Sequence, residues 1–573
     1  MAATSTPSVA ETRSPSTTTF QSHWLGALVV AVATAAALIP FLDRPVHIDD
    51  TVFLVIAEQI LEDPLHPYNF DYNWDVRPRS MWETTQHPPL HSYLLALVGL
   101  AADMREGTLH LAYLGLAVGC ALLMHSIARR MCSTPLVATL LSIATPAFLV
   151  SACTLMADVP LLFFWLLSVR AAIAYADTSR PRWIWLACLS ATAAAMTKYF
   201  GIALVPLLVV YCIPRDHRSP GHLLALALPV LTLFVWGVYA EEQSGIFHPL
   251  GAVTSSINLK MSFTGVLRTL AQSLSYLGAT VFWPILLIPF AFRLRWWQWG
   301  GAMLLAAAAV AIEWRAETAE PVSVGVDAWI LSSFAVASLG GAVLLVVCAS
   351  SWLSQIDSDS SLLGLWFFGT MAFVAFCNWT VNARVILPCV LPAAILTLRW
   401  LERLDLPAPW AWWPRAAFLP TFVVAFVVAL ADERYAEANK TFAETTAAEL
   451  IADGGRVLFT GHWGFQYYME RAGAMAIDHT GQIVKPGDYV VYPQFNCFAE
   501  PLTVPVVKVD DVQFPNPLVI HTMSPDARAG FYTSGHACLP FFFCPECPAD
   551  RFTVYQIVAQ NRADSARRRP GGN

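Results

Sequence analysis

The sequence predicts an all-α polytopic membrane domain followed by a mixed α/β domain, and three observations support that fold class. Of 573 residues, 56% are hydrophobic and only 13% charged, with a mean hydropathy of +0.52; such a composition does not make a water-soluble surface. Apolar segments of about 14 to 23 residues, parted by short polar loops, run from Trp24 to Leu430, whereas a β-barrel would show shorter segments of alternating polarity. After Ala431 these segments stop, and roughly 140 residues with Gly, Pro and short alternating runs follow. A net charge of -7 with dispersed Lys and Arg excludes nucleic acid as a main partner.

Residues 1–23 are Ser/Thr-rich with Arg13 as their only base and read as a cytoplasmic tail. Without a basic leader region, Trp24 to Leu42 reads as a retained anchor, the first span of a transmembrane domain over 24–431. The spans that follow are Thr108–Ala128, Thr134–Ser151, Val159–Tyr175, Trp183–Thr197, Phe200–Ile213 and His222–Ala240. Leu270–Phe292, Gly300–Ile312, Ala328–Ser350, Leu362–Cys377, Val385–Leu398 and Ala416–Leu430 bring the total to thirteen. Pro88–Ala102, opened by two prolines and interrupted by His91, is short for a span and reads as a helix in the interface. That choice puts Arg129/Arg130, Arg180/Arg182, Arg215/Arg218, Arg293/Arg295 and Arg399/Arg403/Arg415 on the cytoplasmic side. The loop Ser351–Ser361, with Asp357 and Asp359 and no base, is the exception.

In this topology the loop 43–107, with eleven carboxylates against four arginines, faces outward. So do Asp158, Lys198, the Glu241–Val266 loop and Arg384, and they can converge on one outer cavity. Residues 432–573 form an extracytoplasmic soluble domain in which Arg456–Thr460 reads as a strand, Gly461-His462 as a turn and Trp463–Arg471 as a helix. Eight cysteines lie in or beside membrane helices as packing residues, whereas Cys497, Cys538, Cys544 and Cys547 belong to the outer domain. Two disulfides are expected there. Zinc held by His536 and the last three cysteines is the alternative, since a C-x-x-C pair is present.

The chemistry concentrates in His47-Ile48-Asp49-Asp50, directly after the first span. Adjacent carboxylates at a membrane surface cost desolvation energy and need solvent or a function. A solvated helix start favoured by the dipole is the plain alternative. Downstream come Gln86-His87-Pro88-Pro89-Leu90, then Leu155-Met156-Ala157-Asp158-Val159-Pro160, then Thr197-Lys198-Tyr199-Phe200-Gly201, then Asn382-Ala383-Arg384-Val385 with Pro388 and Pro392.

In their order and shared sidedness these motifs resemble the GT-C superfamily of polyprenyl-phosphate-sugar glycosyltransferases. The branch with protein O-mannosyltransferases and the lipid A aminoarabinose transferase is the most similar. The resemblance implies an inverting transfer of a sugar from a polyprenyl-phosphate donor to an acceptor hydroxyl of a lipid, glycan or protein, on the outer face of a bacterial inner membrane. It implies Asp49 as catalytic base with Asp50 as second acid, and Lys198, His87, Arg384 and Asp158 around the donor phosphate. The sequence departs from that branch at Gln86-His87-Pro88, where the branch has Glu-Lys-Pro with the acid as a metal ligand; a neutral amide replaces it, so a divalent metal is left open and no cofactor is required. Phe53 stands where that branch carries a basic residue, and Val385 where it carries an aromatic. Tyr68, Trp74 and Trp82 in the first loop offer rings for a sugar to stack on, with an interfacial aromatic belt as the alternative, and His248 is placed to face the cavity. Gly461–Tyr468 reads as packing a helix on a sheet, with acceptor binding as its alternative. A transporter or flippase, which also carries ionisable residues such as Asp158, Lys198 and Arg170 at or within spans, is the competing class.

Overall fold

The computed structural model describes residues 17–213, 220–258, 262–289, 294–319, 328–404, 412–481, 484–497, 499, 504–535 and 537–559. Among them, eight helices are long and apolar enough to cross a membrane: Trp24–Phe41, Glu106–Met131, Asp158–Thr178, Leu224–Ser244, Ala328–Leu353, Ser358–Cys377, Ala383–Arg403 and Trp413–Ala452. Pro135–Ile143 and Pro146–Ala152 add a ninth if the pair, bent by 61°, is one span. The bend has a local cause, because Thr145 turns the chain and its hydroxyl accepts from Phe148 N at 3.2 Å, capping a helix that opens on Pro146. The chain is therefore a multi-pass membrane protein.

The other expected spans are helical but shorter or interrupted. Pro181–Thr197 stops at Lys198, and a 3₁₀ turn, Tyr199–Ala203, leads into Leu204–Cys212. Phe263–Val281 ends at Phe282, a left-handed residue (φ +60°), before the five-residue helix Trp283–Leu287. Trp296–Ala319 is long but carries Glu313, Arg315 and Glu317. Leu90–Ala102 is a separate 13-residue helix lying against Asp50–Glu62.

Of the acids of Ser351–Ser361, out of place by charge, Asp359 is paired with a base beside it, and Asp357 caps the next helix by accepting from Ser360 N at 2.7 Å. Arg130 pairs with both Asp359 and Asp177, at 3.0 and 3.1 Å. Arg399 donates to Ser360 Oγ and Arg403 to the Ser351 carbonyl, each at 3.1 Å. The cytoplasmic placement of Arg215, Arg218 and Arg293 lies outside the described residues.

The expected domain boundary at 432 falls inside a helix. Phe418–Phe442 continues through the π-turn Ala443–Ala447 to Ala452, because Ala431, Asp432, Tyr435, Ala438, Asn439 and Phe442 extend its buried stripe at helical spacing. Beyond it, β1 (Val457–Phe459), β2 (Met475–Ala476), β3 (Tyr489–Pro493), β4 (Val506–Phe514) and β5 (Asp550–Ile557) form one sheet in the order β2-β1-β3-β5-β4. β1 runs parallel to β2 and β3, with Leu458 opposite Val490, and β5 runs antiparallel to β3 and β4. The helix Trp463–Arg471 packs on this sheet, where the Phe552 ring stacks on Phe442 at 4.4 Å and on Phe465 at 5.4 Å.

The cysteine expectation needs correction. The one disulfide among the described residues joins Cys544 to Cys547, while Cys497 and Cys538 are free thiols. Cys538 packs among helix residues such as Phe334 and Ala337, and its carbonyl accepts from Ser275 Oγ at 3.1 Å. It is thus committed to the membrane domain and not to a second bridge. His536, the fourth group of the zinc alternative, lies outside the described residues.

Candidate functional site

The acidic pair divides into two different groups. Ile48 holds φ +47°, an uncommon value for a β-branched residue, and Asp49 follows at the N-cap of Asp50–Glu62 without making a side-chain cap bond. Its carboxylate is instead 33% exposed and accepts from Arg384 Nη2 at 3.2 Å. Asp50 is wholly buried; one oxygen accepts from His47 N at 3.1 Å and the other has no partner. Burial, partly offset by Arg44, pushes the Asp50 carboxyl up to about 7.

Three distant segments meet Asp49. Arg384 follows Asn382, whose side chain caps the short helix Ala383–Ile386 by accepting from Val385 N at 3.0 Å. Its guanidinium spans Asp49 and Asp158, with the second contact at 3.5 Å, and also touches the Met156 sulfur. Asp158 opens the helix Asp158–Thr178, where the dipole favours a carboxylate, and accepts from Lys198 Nζ at 2.7 Å. Lys198 sits in the break between two helices. Gly201 turns back to it, N–H to the Lys198 carbonyl at 2.8 Å, and a Cβ on Gly201 would lie 2.2 Å from the Ala194 backbone. That close approach fixes the break.

His87 belongs to the same neighbourhood. Its ring stacks on Phe53 at 5.5 Å, and burial together with the Lys198 charge holds the imidazole well below its ordinary range. It is neutral at pH 7 and able to donate or accept a hydrogen bond. Asp49, Asp158, Lys198, Arg384 and His87 are thus gathered into one centre, with Asp50 beneath it.

The aromatic residues and His248 behave differently. Tyr68 is buried, its ring against Trp82 (4.9 Å), Trp236 (5.8 Å) and His248 (6.0 Å), and its hydroxyl donates to the His87 carbonyl at 2.8 Å. His248 lies between Tyr199 Oη (2.5 Å) and the Thr85 carbonyl (3.0 Å). Trp82 also borders a cavity of about 350 Å³ with Asp71, Glu83 and Gln243. Trp74 points elsewhere, against His462 of the C-terminal domain at 5.4 Å.

Sequence reasoning missed the C-terminal domain's share of the site. A Cβ on Gly464 would lie 2.2 Å from the Val46 carbonyl; Thr51 Oγ1 donates to the Trp463 carbonyl at 2.8 Å, and Tyr468 Oη accepts from Val46 N at 2.7 Å. The Gly461–Tyr468 stretch therefore clamps the loop that carries Asp49. Tyr532 lies under Arg384, ring centroid 5.1 Å from the guanidinium carbon. Asp432, fully buried, accepts from Arg44 at 2.5 Å and from the hydroxyls of Tyr532 and Thr522, with His47 Nε2 at 3.4 Å. No sequence motif marks Tyr532, whereas the acid Asp432 just past the last apolar run was a usable signal.

A divalent ion does not fit this donor set. Asp49 and Asp158 already face the cationic Arg384 and Lys198, Gln86 is an exposed amide, and no group of three or more His, Cys, Asp or Glu side chains is arranged for a metal among the described residues.

Residues 86–240, which include His87, Asp158 and Lys198, match the profile of the dolichyl-phosphate-mannose-protein mannosyltransferase family. No curated protein sequence matches this chain. Among solved structures it is similar to the archaeal oligosaccharyltransferase AglB from Archaeoglobus fulgidus in complex with an inhibitory peptide and a dolichol-phosphate, at 13% identity and TM-score 0.44, covering 80% of this chain and 65% of that one. It is also similar to ArnT from Cupriavidus metallidurans, in the apo state (14%, TM-score 0.40, 82% and 93% covered) and bound to undecaprenyl phosphate (14%, 0.41, 83% and 93%). The chain thus spans just under two thirds of the archaeal protein's length.

Proposed function

We propose that this protein is a membrane glycosyltransferase that moves a sugar from a polyprenyl-phosphate donor to the hydroxyl of an acceptor lipid, glycan or protein, with inversion at the anomeric carbon. The observation that carries the reading is Asp49: a carboxylate one-third exposed, free of capping duty, beside Arg384 and within one ion-pair chain of Asp158 and Lys198. Asp49 accepts the proton of the acceptor hydroxyl as its oxygen forms the new bond to the anomeric carbon. The bond from that carbon to the phosphate oxygen breaks, and the polyprenyl phosphate departs carrying the electron pair. Lys198 and Arg384 meet the charge that develops on it, and neutral His87 donates a hydrogen bond. Asp158 holds both cations in place. With a single base and no separate nucleophile, one displacement inverts the sugar.

The same reading places the centre, the loop 43–107 and the 432–573 domain on the extracytoplasmic side of a bacterial inner membrane and assigns Trp82, beside the cavity, to the approach of substrate, whereas Tyr68 and His248 are buried packing residues and Trp74 faces His462. The family match gives no support to the transporter alternative. Purified protein incubated with labelled polyprenyl-phosphate sugars and a panel of acceptors should release polyprenyl phosphate; recovery of every donor intact would overturn the assignment.

A further inference from the structure

We infer that the outer domain completes the reaction centre, with Tyr532 as the positioning residue that sets Arg384 between Asp49 and Asp158. The inference rests on the reading above and adds to it a residue from the far end of the chain. Three sets of contacts converge on it. The backbone before Arg384 is paired with the outer domain: Ala383 N donates to the Phe531 carbonyl at 3.0 Å, and Ser534 N donates to the Val381 carbonyl at 2.8 Å. The Tyr532 ring then supports the guanidinium from below at 5.1 Å. Finally, the Tyr532 hydroxyl donates to Asp432, which is also held by Arg44 and Thr522 and is wholly buried. The ring is therefore fixed from behind by a sealed carboxylate while its face meets the cation. A guanidinium over a π-face in a desolvated place gains attraction without losing its hydrogen-bonding edge. That edge is held between Asp49 and Asp158, from which it can turn toward a donor phosphate.

The test uses the full-length protein in detergent micelles and undecaprenyl phosphate as probe. Tyr532→Leu should weaken binding about 5- to 30-fold, the range for a desolvated cation–π contact, while Tyr532→Phe, which keeps the π-face and loses only the anchor on Asp432, should weaken it less. Adding Tyr532→Leu to Arg384→Gln should cost nothing further, since the ring acts through Arg384. If Tyr532→Leu does not fold, phenylalanines carrying one, two and three fluorines at 532 keep the shape and drain the ring's negative face, and affinity should fall stepwise. A flat fluorine series, or equal losses with and without Arg384, overturns the inference. Failure of the wild-type protein itself to bind the probe would instead strike the glycosyltransferase reading.

Discussion

The loop from Arg44 to Asp50 feeds two ion-pair centres that differ chiefly in access. Arg44 and Asp432 are both fully buried at 2.5 Å, and Asp432 has two hydroxyl donors besides. Arg384 and Asp49 stand at 3.2 Å with 10% and 33% of their side chains exposed. A buried pair brings little net stability, but breaking it strands a charge without solvent. Both Asp432 oxygens are engaged and sealed from solvent, so the pair has no capacity to take a substrate proton. The open pair has that capacity. One centre is a rivet between the membrane helices, the first loop and the C-terminal domain, and the other is held in place by it.

The largest change should come from breaking the rivet. Asp432→Ala leaves Arg44 buried without its counter-charge, at a cost of about 3–5 kcal/mol, and should sharply lower the thermal unfolding midpoint of the detergent-solubilised protein. Lys198→Ala removes a cation from the phosphate in both ground and leaving states. It should weaken donor binding by about 10- to 150-fold, as loss of a charged hydrogen bond does, and slow turnover too, with little change in the unfolding midpoint. Gly464→Ala drives a methyl into the Val46 carbonyl and should cost about 1–3 kcal/mol together with activity, because the loop it displaces carries Asp49.

A further effect is in pH dependence. The Asp50 carboxyl is raised to about 7 from an ordinary 3.8, so the folded state prefers it protonated; that preference is fully met below 3.8 and lost as pH rises through 7. Asp50→Asn removes this slope. The stability of the variant relative to wild type should therefore climb between about pH 4 and 7 and level off above. A flat difference would mean that Asp50 is ionised in the fold.

Much of this organisation is legible in the sequence because it rests on local rules. Apolar runs mark the helices, and the strand, turn and helix from Arg456 to Arg471 follow from composition and the glycine at 461. The motifs around Asp49, His87, Asp158, Lys198 and Arg384 are recognisable in order. What could not be read depends on which side chain meets which across hundreds of residues. Tyr532 under Arg384, Asp432 beneath Tyr532 and Gly464 against Val46 have no periodicity to announce them. The helix end at Ala452 was hidden because an amphipathic helix leaving a membrane loses the uniform apolarity used to trace it. The second disulfide failed because cysteine count carries no geometry: Cys538 faces the membrane helices, and Cys497 lies where burial and the Asp49 charge push its thiol up.

The central claim is that the exposed carboxylate reacts and the buried one does not. Asp49→Asn and Asp50→Asn, purified as full-length proteins, can be compared with wild type for release of polyprenyl phosphate in single turnover after each is shown to bind donor. Asp49→Asn should bind normally and lose about 100- to 10,000-fold in rate, the usual worth of a general base, while Asp50→Asn keeps most of the activity. An active Asp49→Asn beside an inactive Asp50→Asn would contradict the account and move the base to the buried residue.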